Sequence, residues 1–197
     1  MNYLAHAYLS FNHPQILVGN MISDFVKGSS KFGYAASVQK GIELHRAIDH
    51  FTDNHSATKA AKEVFRSHYR LYSGAIMDII YDHFLANDPV YFNQASLFEF
   101  TEDVYSTLED HAVSLPPIFL QVLTYMRNEN WLYHYRTLEG IRKSLRGLAR
   151  RAAYLSEGET AYRLLTQNYE MLRQCSTDFF PSVKNFAKDE LDKLLSV

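Results

Sequence analysis

Gly74-Ala75-Ile76-Met77-Asp78-Ile79-Ile80-Tyr81-Asp82-His83-Phe84-Leu85 is the stretch that decides the fold. At ~100° per residue its apolar side chains point in almost every direction, the pattern of a helix enclosed by other helices. Asn87-Asp88-Pro89 stops it, because Pro pushes the residue before it out of the helical region. The rest of the chain keeps this character. Gly and Pro number only 8 and 5 among 197 residues. No run alternates Val, Ile and Thr as a strand does. The sequence therefore predicts an all-α protein, a single-domain helical bundle over residues 1–197. Helices are expected near 2–11, 14–25, 35–54, 57–72, 74–86, 94–110, 117–130, 134–156, 158–177 and 181–195. Ser56 and Ser73 are the expected N-caps of two of them, each hydroxyl accepting from a first-turn amide.

Composition excludes several functions. Lys+Arg total 20 against 22 Asp+Glu, a net charge of -2, which is not the basic balance of a nucleic-acid binder. The single Cys175 excludes a disulfide framework and cysteine-based metal sites. No apolar run approaches the roughly 18 residues of a membrane span, and the N-terminus lacks the basic start of a signal peptide. The expectation is a cytoplasmic protein with neither nucleic-acid nor membrane partner. Histidine occurs nine times, and His6, His13, His45, His50, His55, His68 and His83 crowd the first part of the chain.

The residues that point to chemistry are polar groups inside apolar helices. Asp78 and Asp82 are four apart and share a face of the central helix, with His83 beside them. An unpaired buried carboxylate costs several kcal/mol, so these acids need a cation, a donor network or a metal. His45 and Asp49 repeat the four-residue spacing in His45-Arg46-Ala47-Ile48-Asp49, so a ring nitrogen and a carboxylate oxygen can face one ion. His6 sits within Asn2-Tyr3-Leu4-Ala5-His6-Ala7. Asp24 falls near the C-terminal end of its expected helix, badly placed for the dipole, and is either solvated or held by something positive. Taken singly, each group reads as an arginine-paired acid or a satisfied core histidine. Taken together, one divalent ion satisfies all of them, and a cysteine-free His and carboxylate set suits Mn, Fe or another borderline-to-hard divalent metal. Such an ion acidifies a water and polarises a phosphoryl oxygen, so the residues alone point to a helical metal-dependent hydrolase.

The chain also resembles the bacterial acyl carrier protein phosphodiesterases. The resemblance runs through Asn2-Tyr3-Leu4-Ala5-His6, Gly19-Asn20-Met21-Ile22-Ser23-Asp24-Phe25-Val26-Lys27-Gly28 and Gly41-Ile42-Glu43-Leu44-His45-Arg46-Ala47-Ile48-Asp49. It continues at Phe65-Arg66-Ser67 and Met77-Asp78-Ile79-Ile80-Tyr81-Asp82-His83-Phe84-Leu85, with weaker echoes at Trp131-Leu132, Tyr135-Arg136 and Phe179-Phe180-Pro181. It implies a fold distantly related to HD-type phosphohydrolases, although their adjacent His-Asp pair is absent here. It implies a Mn2+-dependent activity that removes 4′-phosphopantetheine from holo acyl carrier protein and leaves the apo carrier protein.

On that footing His6, Asp24, His45, Asp49 and Asp82 are the expected metal ligands. Asp78 and His83 are the expected acid/base or supporting groups, and Asp24 is alternatively the base that aligns water. Lys27 and Arg46 stand beside the acidic set and are expected to meet the phosphodiester. An acidic carrier protein calls for a basic docking face. Lys59, Lys62, Arg66 and Arg70 follow one helical stripe, and Arg142 and Arg146 belong to a second run opposed only by Glu139; a merely solvated face is the competing reading of each. Two rival functions remain open: a phosphohydrolase of small diesters or nucleotides, and a non-catalytic helical interaction protein.

Overall fold

A computed structural model describes residues 1–151 and 158–196. These form eleven α-helices with four short 3-10 turns, and no strand occurs among the described residues. In chain order the helices are α1 Tyr3–Tyr8, α2 Pro14–Ile22, α3 Ala36–Asn54, α4 Ser56–Tyr69, α5 Ser73–Asn87, α6 Gln94–Asp110, α7 Pro117–Asn128, α8 Trp131–His134, α9 Leu138–Arg151, α10 Gly158–Gln167 and α11 Tyr169–Leu195.

The all-round apolar helix is α5, and it is enclosed as its pattern requires. Helices α1, α4, α9 and α11 pack around it. Ile76, Met77 and every residue from Ile79 to Ala86 are buried. One hydrophobic cluster joins it to the rest of the bundle.

Helices α2 and α3 pack closely, and glycine is the reason. A methyl group on Gly19 would lie 2.1 Å from the Val38 carbonyl oxygen, and one on Gly41 would lie 2.3 Å from that of Ile16. The two backbones touch where only hydrogen atoms fit. This contact sets the C-terminal end of α2, with Asn20, and the turn after it, with Asp24, against the middle of α3, with His45 and Asp49.

Several boundaries differ from the sequence reading. α2 stops at Ile22, and a 3-10 turn, Ser23–Phe25, carries Asp24. His55, not Ser56, caps α4: its Nδ1 accepts from the Ala57 amide at 3.3 Å. Ser73 is the first residue of α5, and its hydroxyl donates to the Arg70 carbonyl instead of capping. The expected helix 134–156 is split between α8 and α9, and the Thr137 hydroxyl accepts from the Gly140 amide at the start of α9. Residues 152–156 of that expectation lie outside the described residues. Helix α11 runs through Pro181 where a break was expected. An interior Pro costs about 3 kcal/mol. Buried Phe179, Phe180, Val183 and Leu191 lie on both sides of it. At about 1.5–3 kcal/mol for each large side chain, their burial outweighs that cost.

Candidate functional site

Four of the expected residues come together where α1, the end of α2 and α3 meet. The His6 and His45 rings stack, with centroids 3.9 Å apart and planes 13° from parallel. Both turn a nitrogen toward Asp49: His6 Nε2 is 3.2 Å from Oδ1, and His45 Nε2 is 3.1 Å from Oδ2. Asp24 Oδ1 lies 3.3 Å from the same His45 nitrogen. The spacing of His45 and Asp49 therefore does bring nitrogen and oxygen to one place.

The tautomer of His45 follows from its other nitrogen. Nδ1 lies 2.7 Å from the Asn20 carbonyl oxygen, and against a carbonyl it can only donate. In the neutral ring Nε2 then carries the lone pair, and it faces the two carboxylates. A carbonyl behind the ring is a usual support of a metal-binding histidine. Nε2 is close to both acids yet has hydrogen-bonding geometry to neither, and His6 Nδ1 is likewise buried without a partner. A buried ring nitrogen such as His45 Nε2, turned to two carboxylates, is what a cation would satisfy. His6, His45 and Asp49 present ligand atoms within 4.8 Å of one another, and they fit a divalent ion.

Charge is distributed in keeping with this. Burial opposes a proton on His45, but Asp24 and Asp49 outweigh it and raise its pKa to about 9. Burial, reinforced by charge on His45, lowers His6 to about 4. Burial alone would raise the Asp49 pKa; the Met1 ammonium and the two histidines instead hold it far below the ordinary carboxylate range. The close approach of His45 lowers the Asp24 pKa against the effect of its own partial burial. The two ring groups are almost fully covered, whereas the Asp24 side chain is 74% exposed and Asp49 39%. The cluster thus opens to solvent at Asp24. Lys27 and Arg46 are both exposed at this side. Arg46 Nη2 donates to the Val26 carbonyl at 3.2 Å, which ties its guanidinium to the segment that carries Asp24 and Lys27. A cleft of about 320 Å3, lined by Asn12, His13, Phe100, Asp103 and Thr107 among others, contains none of the candidate site residues.

The structure gives the α5 residues other partners. Asp82 is fully buried, and its oxygens accept from the amides of Leu4 at 2.8 Å and Ala5 at 3.1 Å. Read from sequence as a ligand, it meets two first-turn amides of α1. Burial raises its pKa to about 7, although both amides favour the charged form. Asp78 meets the buried α-amino group of Met1 at 3.1 Å, and the same amine donates to Asp49 at 2.9 Å. Burial raises the Asp78 pKa despite that ammonium. Against burial, Asp78 and Asp49 raise the amine to about 11. His83 is a satisfied core histidine: Nδ1 donates to the Tyr135 carbonyl at 2.7 Å, and Nε2 accepts from the Tyr169 hydroxyl at 2.8 Å. Both of its nitrogens are occupied away from the cluster.

The basic stretches are also rearranged. Lys62 pairs with Asp53 at 2.6 Å and Arg66 with Glu63. Arg70 leaves the stripe, because α4 ends at Tyr69 and Arg70 has a φ of 46°. Lys59 and Arg70 are exposed. Glu159 lies against the second run and binds Arg142 at 2.8 Å and Arg146 at 2.5 Å, and Glu139 adds its charge near Arg142. Reading the sequence missed Asn20, the Met1 amine and Glu159. A signal existed only for Asn20, an amide within Ile16-Leu17-Val18-Gly19-Asn20-Met21-Ile22, where it is fully buried and donates to the His6 carbonyl at 2.9 Å.

The all-helical bundle gathers imidazoles and carboxylates at a solvent-open point, an arrangement compatible with a divalent cation. The family model of acyl carrier protein phosphodiesterases matches residues 1–183, and the chain belongs to that family of phosphodiester hydrolases. It is 32% identical over 195 residues to the acyl carrier protein phosphodiesterase of Photorhabdus laumondii, covering 96% of each chain. It is 32% identical over 191 residues to that of an Enterobacter species, covering 96% of this chain and 99% of the relative. The same-named protein of Escherichia coli is 33% identical over 189 residues, 92% of this chain and 94% of its own. No solved structure matches the chain. No helix among the described residues is long and apolar enough to cross a membrane.

Proposed function

We propose that this protein hydrolyses the phosphodiester linking 4′-phosphopantetheine to a serine of holo acyl carrier protein, leaving the apo carrier protein. His6, Asp24, His45 and Asp49 would hold a divalent cation, taken as Mn2+ from the resemblance. The observation that carries the reading is His45: a carbonyl fixes one nitrogen at 2.7 Å, and the other is turned between two carboxylates. When bound, the cation supplies Lewis acidity at phosphorus and a nucleophile at neutral pH. The chain's own residues do the rest. Asn20 orients His45. Asp24, the most open carboxylate of the set, accepts a proton from the incoming water or completes the cation's shell. Lys27 and Arg46 offset the charge of the diester.

The family name supports a carrier-protein substrate, and the solvent-open mouth beside two cations suits an arm presented by another protein. Lys59, Lys62, Arg66 and Arg70 on one side, and Arg142 and Arg146 on another, are the candidate docking cations. Lys62, Arg66, Arg142 and Arg146 first have to leave the acids that hold them. The reading also places the reaction in the cytoplasm, with fatty acid biosynthesis as its setting. The test compares turnover of holo carrier protein, a nucleotide and a chromogenic diester, each with Mn2+ and with chelator. The proposal expects holo carrier protein to be strongly preferred and chelator to stop its turnover. Equal turnover of the small diesters overturns the substrate assignment, and chelator-resistant turnover overturns the cation.

A further inference from the structure

Asp78 and Asp82 lie one turn apart on α5, and the proposed chemistry leaves both unused. Their partners all belong to the segment that carries His6. Asp82 takes two first-turn amides of α1, from Leu4 and Ala5. Asp78 takes the α-amino group of Met1 at 3.1 Å. Helix α1 has six residues, too short to hold itself together. Its own N-cap, Asn2, makes no capping bond from its side chain. That side chain donates instead to the Tyr135 hydroxyl at 2.8 Å. Two of the orphan amides that begin this helix, those of Leu4 and Ala5, are therefore met from α5. Beyond His6 the segment is fixed again, where Asn20 and Ser10 both donate to the His6 carbonyl, each at 2.9 Å.

We propose that Asp78 and Asp82 are positioning residues, a clamp on residues 1–5 that sets the imidazole of His6 where it can bind the cation. The inference rests on the cation reading of the site. Each Asp82 oxygen accepts from a backbone amide, and the ligand atoms that lie within 4.8 Å of one another come from His6, His45 and Asp49. The clamp also explains why a buried helix carries two acids at this spacing. The amides and the amine supply the positive partners that burial demands.

The test titrates Mn2+ alone into the full chain by calorimetry and reads nitrogen couplings to bound Mn2+ by pulsed EPR, with His6→Gln as the reference for loss of one imidazole. Asp82→Asn keeps the side chain's size but turns an amide donor toward a donor. The clamp predicts about tenfold or weaker Mn2+ binding, in the range seen when supports of metal ligands are removed. It also predicts a spectrum like that of His6→Gln, with the His45 coupling retained. A folded Asp82→Asn that keeps both couplings overturns the clamp, whatever happens to affinity. In that case the carboxylate acts as a ligand or only as a charge. Should Asp82→Asn fail to fold, Asp78→Asn, at a side chain 34% exposed, is read by the same criterion. Wild-type protein that binds no Mn2+ removes the cation reading and the clamp together, which distinguishes the two failures.

Discussion

Replacing Gly41 with Ala tests how the fold assembles the site. The added methyl would lie 2.3 Å from the Ile16 carbonyl oxygen, 2.9 Å from Gly19 Cα and 3.0 Å from the Ile16 carbonyl carbon. All three are backbone atoms, so no flexible side chain can yield. Ordinary contact begins near 3.4 Å, so α2 and α3 must separate by about 1 Å. Overpacking of this kind costs about 1–3 kcal/mol, and a contact against rigid backbone belongs in the upper part of that range. Ala returns about 1 kcal/mol of helix propensity, leaving a net loss of about 1–2 kcal/mol. For a chain of this size that lowers Tm by about 2–8 °C. The same displacement acts on the His45 Nδ1 contact with the Asn20 carbonyl. Its 2.7 Å becomes about 3.7 Å, outside hydrogen-bonding range. His45 loses the bond that sets its tautomer, and Mn2+ affinity falls about tenfold or more. Differential scanning calorimetry and Mn2+ titration of the same preparation measure both effects. A Gly41→Ala protein that melts at or above the wild-type temperature and binds Mn2+ unchanged refutes the reasoning, since propensity alone would then decide the outcome.

Asp24→Ala, at a side chain 74% exposed, should abolish release of phosphopantetheine while shifting Tm little; wild-type turnover would remove Asp24 from the chemistry. The His45 pKa is about 9 when folded and near 6.5 when unfolded, so its stabilising charge is fully present below pH 6.5 and is lost as pH rises through 9. Metal-free protein should therefore lose stability over that window, with a shallower loss in His45→Ala; parallel curves would contradict the assignment. Because His45 must shed its proton to bind a cation, Mn2+ titrated at pH 7.5 should release about one proton, seen as a dependence of the binding heat on buffer ionisation. Lys27→Glu combined with Arg46→Glu should raise KM for holo carrier protein, and added salt should raise the wild-type KM. A KM that stays flat under both changes would count against electrostatic docking.

The bundle was legible because α5 is apolar on every side and the chain has few breakers. Pro181 misled for the converse reason: the local cost of an interior Pro is visible in sequence, whereas the burial of Phe179 and Phe180 that outweighs it is not. At the site, His45 and Asp49 could be paired because one helix carries both and its geometry fixes their spacing. Asp82 gives the same sequence signal, a carboxylate in an apolar helix, yet its partners are backbone amides 77 and 78 residues away. Every residue contributes an amide, so no residue type announces such a partner. His83 is another case of this kind, satisfied by a carbonyl and by the hydroxyl of Tyr169, 86 residues on. Glu159 escaped notice because a charge run suggests only its neighbours in sequence as opposing acids.

The most direct measurement is the intact mass of a holo acyl carrier protein after incubation with the full chain and Mn2+. The account predicts conversion to the apo mass, with free 4′-phosphopantetheine in solution, and no conversion by His45→Ala. Holo carrier protein left at its full mass by a wild-type chain shown to have bound Mn2+ would contradict it.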